Sequence, residues 1–114
     1  MLKAYKIVND NDKKPCGTLC YDTDTNYFYL DIEPTYPIEK SPAILAAYKS
    51  MGKESLNHNE TLRFIRDRII PAERQNIEQV LHRVGVDEYS ELSMLEYTMG
   101  RCCMDDFYIE DKYY

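Results

Sequence analysis

The sequence predicts an α+β fold: a small antiparallel sheet, built from three N-terminal strands plus a C-terminal strand, with about four helices packed on one side. Three observations carry this prediction. Residues 2–32 hold short apolar runs separated by turn clusters rich in Asp and Asn. From residue 41 the apolar side chains recur with helical spacing instead. Residues 106–110 then return to strand-like alternation, so the chain's end can rejoin the sheet.

Taken in order, residues 2–8 read as a first strand that stops at Asn9, Asp10, Asn11 and Asp12, whose side chains bond their own backbone and favour turns. Residues 17–21 and 26–32 read as the second and third strands, joined by Asp22, Thr23, Asp24 and Thr25 into an antiparallel meander. Pro34, Pro37 and Pro42 remove backbone donors and end the pairing. Ser41 is the expected N-cap of a first helix over 43–51, with Pro42 at its first position and Gly52 just past its end. A second helix is expected from Asn59, with Leu62, Ile65 and Ile69 inward and Arg63, Arg66, Asp67 and Arg68 largely outside that stripe. Pro71 breaks the run and opens a third helix over 72–84 with Ile77, Val80, Leu81 and Val84 inward and Gly85 as its stop. Asp87 is read as the cap of a fourth helix, whose stripe is Leu92, Leu95 and Met99 and whose end is Gly100. In the closing strand, Phe107 and Ile109 share one face and Tyr108 takes the other.

The 114 residues suit one domain spanning 1–114, because a chain of this size buries about two thirds of its unfolded surface without metal or disulfide support. The formal charge is −6, which disfavours attraction to phosphate backbones and anionic lipid. Residues 85–114 carry eight acidic against two basic side chains, so this quarter alone matches the total. No apolar run reaches the roughly 20 residues of a membrane span. The start alternates charge where a signal peptide needs an apolar stretch, so the expected location is the cytoplasm. Eleven tyrosines, three phenylalanines and no tryptophan make up the aromatics, and Tyr serves half-buried sheet faces and interfaces alike.

Four cysteines invite a disulfide or zinc reading. Cys16 and Cys20 fall on an expected strand, and Cys102 and Cys103 are adjacent, so neither pair has the usual zinc spacing; reduced thiols are the expectation. Asp22, Asp24, Asn26 and Glu33 match positions 1, 3, 5 and 12 of a calcium loop, but Tyr27 stands where that loop needs glycine, and a hairpin turn explains the same letters. Neither His58 nor His82 has a nucleophile or orienting acid nearby in sequence, and the four isolated glycines make no phosphate loop. No catalytic, cofactor or metal residue is therefore assigned, and an enzyme is not expected. Arg74, Gln75, Asn76, Gln79 and Arg83 would suit the recognition helix of a DNA-associated helix-turn-helix module, but Glu73 and Glu78 interleave with them; a stand-alone regulatory module, or a DNA-associated one of this helix-turn-helix kind, is the alternative reading.

The run from Leu62 to Arg74 with its Ile70-Pro71 step, the segment Tyr89 to Leu95 and the segment Gly100 to Asp105 together resemble the N-terminal subdomain of the HipA-type toxin kinases. Gly17-Thr18-Leu19 and the strand with Phe28 also follow that family's order. The chain departs from it after Gly100-Arg101, where Cys102 and Cys103 precede acids displaced to Asp105 and Asp106. The kinase body would need a few hundred further residues, so the resemblance is to split systems, with a stand-alone, HipS-like small protein. It implies an antitoxin-like protein with no cofactor that binds and restrains a HipA-type Ser/Thr kinase, a DNA-binding third component being contacted only indirectly. The contact surface expected for that partner is the acidic, aromatic C-terminal segment: Asp105, Asp106, Phe107, Tyr108, Glu110, Asp111, Tyr113 and Tyr114, with the loop from Tyr36 to Lys40.

Overall fold

A computed structural model describes residues 1–111. Its sheet has five antiparallel strands: β1 (Leu2–Asn9), β2 (Pro15–Asp22), β3 (Tyr27–Ile32), β4 (Ser55–Leu56) and β5 (Phe107–Asp111). Their order is β4-β3-β2-β1-β5, so the C-terminal strand pairs with the first, and the two-residue β4 extends the other edge beyond the four strands expected. Four helices follow the meander: α1 (Ala43–Ser50), α2 (His58–Ile65), α3 (Ile77–Val84) and α4 (Glu91–Thr98). Among the described residues no helix is long and apolar enough to cross a membrane.

Alternation along the strands sorts the side chains. Tyr5, Leu19, Leu30 and Leu56 stand opposite one another across four strands and face the helices. Ile7, Phe28, Ile32, Phe107 and Ile109 join them on that face, against Leu45 of α1, Phe64 and Ile65 of α2 and Leu95 of α4. The opposite face carries Ala4, Lys6, Thr18, Cys20, Tyr29, Asp31, Tyr108 and Glu110, and none of these belongs to the shared core. At the β1/β2 junction the register slips between Ile7 and Val8, leaving Cys16 as an extra residue that turns into the core. Cys16 and Cys20, four apart, therefore end on opposite faces of one strand. Gly17 beside the bulge allows close approach: a Cβ there would lie 2.8 Å from the Asp31 carbonyl oxygen.

Several boundaries differ from the sequence-based expectation, each for a local reason. Ser41 does not cap α1, because its hydroxyl donates to the Pro37 carbonyl and it closes a short 3-10 turn over Ile38–Lys40; Pro42 is the N-cap. The second helix starts earlier, on Asn57, whose side chain accepts the Glu60 N–H while Glu60 accepts the Asn57 N–H. It gives way to a 3-10 turn at Arg66–Arg68 instead of running to Ile69, which is extended. Residues 71–76 are a run of exposed turns instead of the first turns of α3, since they offer no apolar side to bury. α4 is capped by Ser90, which accepts the Ser93 N–H, and not by Asp87. Met99, expected in the apolar stripe, is half exposed, because it has left the helix with φ +56°. Met94, which no sequence reading singled out, occupies the fully buried position.

The proline-rich loop after β3 is anchored by one side chain. Lys49 of α1 donates to the carbonyls of Glu33 (3.1 Å), Pro34 (3.2 Å) and Tyr36. An ammonium group thus supplies the donors that the prolines removed from this stretch.

Candidate functional site

A cleft of about 570 Å³ lies where the N-terminus of α1, the 3-10 turn after α2, the β1–β2 turn and the segment before β5 meet. Pro42, Ile44, Phe64, Met104 and Phe107 supply apolar wall, and Asp12, Asp67, Asp105 and Asp106 supply four carboxylates against the two cations Lys40 and Arg68.

Arg68 organises this region. It was expected on the solvated side of its helix, yet it is only 5% exposed. It continues the buried face of α2, Thr61, Phe64 and Ile65, at helical spacing, and there its guanidinium donates to the Gly100 carbonyl at 2.9 Å and to the Phe107 carbonyl at 3.5 Å, and pairs with the Asp105 carboxylate. Its charged carbon sits 4.6 Å from the Phe64 ring centre, a cation–π contact. Asp105 in turn accepts the Phe107 N–H at 3.0 Å, so the acid that pairs with Arg68 also starts β5. Gly100 lies directly beneath, at φ +71°, where a Cβ would come within 2.8 Å of Ile109. These contacts cover part of the outer edge of β5, where the Ile109 N–H is taken by the Met99 carbonyl at 2.8 Å and the Phe107 carbonyl by Arg68.

A second polar chain lies along the other wall. Buried Asn9 accepts the Asn11 N–H and donates to the Tyr36 hydroxyl (2.9 Å), which reaches the Asp12 carboxylate at 3.3 Å. Burial raises the pKa of Tyr36, opposed in part by the Asn9 hydrogen bond. Tyr36 packs edge-on to Phe107 with ring centres 6.1 Å apart. Of the loop expected to help dock a partner, Tyr36 is thus a structural residue, whereas Lys40 reaches the cleft.

The C-terminal candidates do not form one patch. Asp105 is bound to Arg68; Asp106 is exposed on the cleft rim and accepts from Asn11 at 2.9 Å; Phe107 is 3% exposed and belongs to the core. Tyr108 and Glu110 lie on the helix-free face of the sheet, Glu110 opposite Lys6 and the Tyr108 ring beneath Lys13 (5.6 Å) and Arg101 (4.7 Å). Asp111 ends the strand opposite Tyr5. Tyr113 and Tyr114 lie outside the described residues. Period-two alternation is the reason for the division: a contiguous strip of sequence on a strand cannot share one face.

The remaining motifs resolve into structure. In the Asp22–Asn26 turn, Asp22 accepts the Asp24 N–H, and Asn26, at φ +59°, accepts the Tyr21 hydroxyl. Asp22 and Asn26 of the calcium pattern are thus spent within a hairpin, and Glu33 lies beyond β3, where it accepts from Thr35. His58 accepts the Phe28 N–H through Nδ1 at 3.0 Å and stacks on Tyr27. Among the described residues no three metal-capable side chains gather.

The cysteines remain thiols with sharply different access. Burial pushes Cys16 up to about 12, so its thiolate is scarce at neutral pH, and Cys103 is exposed. A thiol reagent at pH 8 is expected to modify Cys103 first and Cys102 more slowly, and to reach Cys16 and Cys20 only in denaturant. Peptide mapping of the labelled protein reads this directly, and fast native labelling of Cys16 would contradict its placement in the core.

Comparison with known proteins matched no family model, no curated protein and no solved structure.

Proposed function

We propose that this chain is a non-catalytic, antitoxin-like module that binds a Ser/Thr kinase of the HipA type and restrains it by occupying its surface. The observation that carries the reading is the way residues 105–111 are displayed. This segment forms an edge strand and its lead-in, with Tyr108 and Glu110 on a sheet face that no helix covers and Asp106 on the rim of the adjacent cleft. Acidic and aromatic groups thus border both sides of the edge strand, a composition suited to a partner with a basic surface. The choice of a kinase as partner rests on the sequence resemblance over residues 62–74, 89–95 and 100–105. A specific complex would bury about 800 Å² on this protein's side.

The test is to look beside this gene for a reading frame of the HipA-kinase type, purify its product and titrate it with this protein. Autophosphorylation is expected to fall as the complex forms. The double substitution Tyr108→Ser with Glu110→Gln should slow association by about three- to tenfold at low salt and flatten its salt dependence. Asp105 is left in place in this design, since its pairing with Arg68 makes any change there a change of fold as well. An absence of binding, or autophosphorylation that ignores an excess of this protein, would overturn the reading.

A further inference from the structure

We propose that the cleft between α1, the Arg66–Arg68 turn and the segment before β5 receives a lysine or arginine side chain from a basic segment of the partner. The inference rests on the protein-binding reading above and adds the chemistry of the contact. Three properties of the cleft converge on that occupant. Its volume, about 570 Å³, lies within the range of concave sites that enclose a ligand group. Its walls, Pro42, Ile44, Phe64 and Met104, match the methylene stem of a long basic side chain. Among the residues that line it, three carboxylates outside the Arg68–Asp105 pair face a single lysine.

The charge balance decides the sign of the occupant. Arg68 and Asp105 satisfy each other, and Arg68 is further committed to two backbone carbonyls, so neither is available to a ligand. What remains is Lys40 against Asp12, Asp67 and Asp106. Asp67 is exposed and makes no hydrogen bond or ion pair among the described residues; the Asp106 carboxylate accepts from the neutral amide of Asn11, with no ion pair among the described residues; the Asp12 carboxylate accepts from the Lys14 N–H and the Tyr36 hydroxyl. An anionic occupant would face three carboxylates. A wholly apolar one would strip water from them without replacing it. A cationic head on an apolar stem satisfies both the walls and the rim.

The experiment uses the full chain, labelled with nitrogen-15 and titrated with a capped hexapeptide alternating lysine with alanine. Saturable amide shifts are expected at Asn11, Ala43, Ile44, Asp67 and Cys102. The double substitution Asp67→Asn with Asp106→Asn, both exposed positions, should keep the melting temperature and weaken the peptide by about five- to tenfold. Glu78→Gln on α3 should leave it unchanged. The inference is overturned if the glutamate counterpart of the peptide gives the same shifts, if the double substitution leaves the affinity intact, or if the shifts map to the sheet face around Glu110. The kinase titration separates the two claims. Kinase that binds while the lysine peptide leaves the cleft amides unmoved defeats the cleft alone. A cleft that fills with peptide while kinase fails to bind defeats the functional reading alone.

Discussion

Arg68→Ala is expected to lower the unfolding free energy by about 2–4 kcal/mol. The guanidinium is almost wholly buried and serves two carbonyls, one carboxylate and one aromatic ring. Its removal strands the Asp105 charge and leaves the Gly100 and Phe107 carbonyls short of a donor, while opening a hole against Phe64. The expected loss sits below the largest values for broken buried pairs because the Asp105 side chain keeps about a fifth of its exposure and can partly rehydrate. Arg68→Lys should recover little, since an ammonium group cannot reproduce the planar fork that reaches carbonyl and carboxylate together. Arg68→Met combined with Asp105→Asn should recover a sizeable part, because it removes both charges and keeps volume. Urea melts of the four proteins check this. A single Arg68→Ala that melts like the parent would show that the buried pair contributes nothing to the fold.

Leu30→Ala is expected to cost about 2–5 kcal/mol by loss of buried methyl groups and the cavity left behind. Leu30 is fully buried, stands between Leu19 and Leu56 in the cross-strand row, and takes part in the core shared with α1, α2 and α4. A fall in Tm of roughly 10 °C or more is the expected readout for a domain of this size. Tyr29→Ala, one residue away on the helix-free face, should cost far less, and equal losses at the two positions would contradict the assigned facing of β3.

The sheet itself was largely legible in the sequence. Its strands announce themselves through apolar alternation broken by Asp and Asn turns, and the C-terminal strand does so through Phe107 and Ile109 on one side with Tyr108 on the other. β4 gave no such signal, because two residues are too few to show a period; it exists because β3 leaves an edge that Ser55 and Leu56 can reach. Asn57 and Glu60 did carry a readable capping signature, three residues apart, which the later start chosen at Asn59 passed over. The candidate site was the least legible part. Arg68 falls outside a stripe drawn through Leu62, Ile65 and Ile69, but α2 buries Thr61, Phe64 and Ile65 instead, and Arg68 continues that face at helical spacing.

Local sequence determined which stretches become strands and helices, where the turns fall, and that negative charge collects toward the C-terminus, because propensity, turn chemistry and charge are properties of neighbours along the chain. Tertiary structure decided what those groups face. Pairing β5 against β1 sent Phe107 into the core, Tyr108 and Glu110 to the open sheet face, and Asp105 to a buried arginine thirty-seven residues earlier. Those outcomes depend on register and on contacts between distant segments. No window of sequence contains both partners of such a contact, so the cleft and its uncompensated carboxylates exist only once the chain has closed on itself.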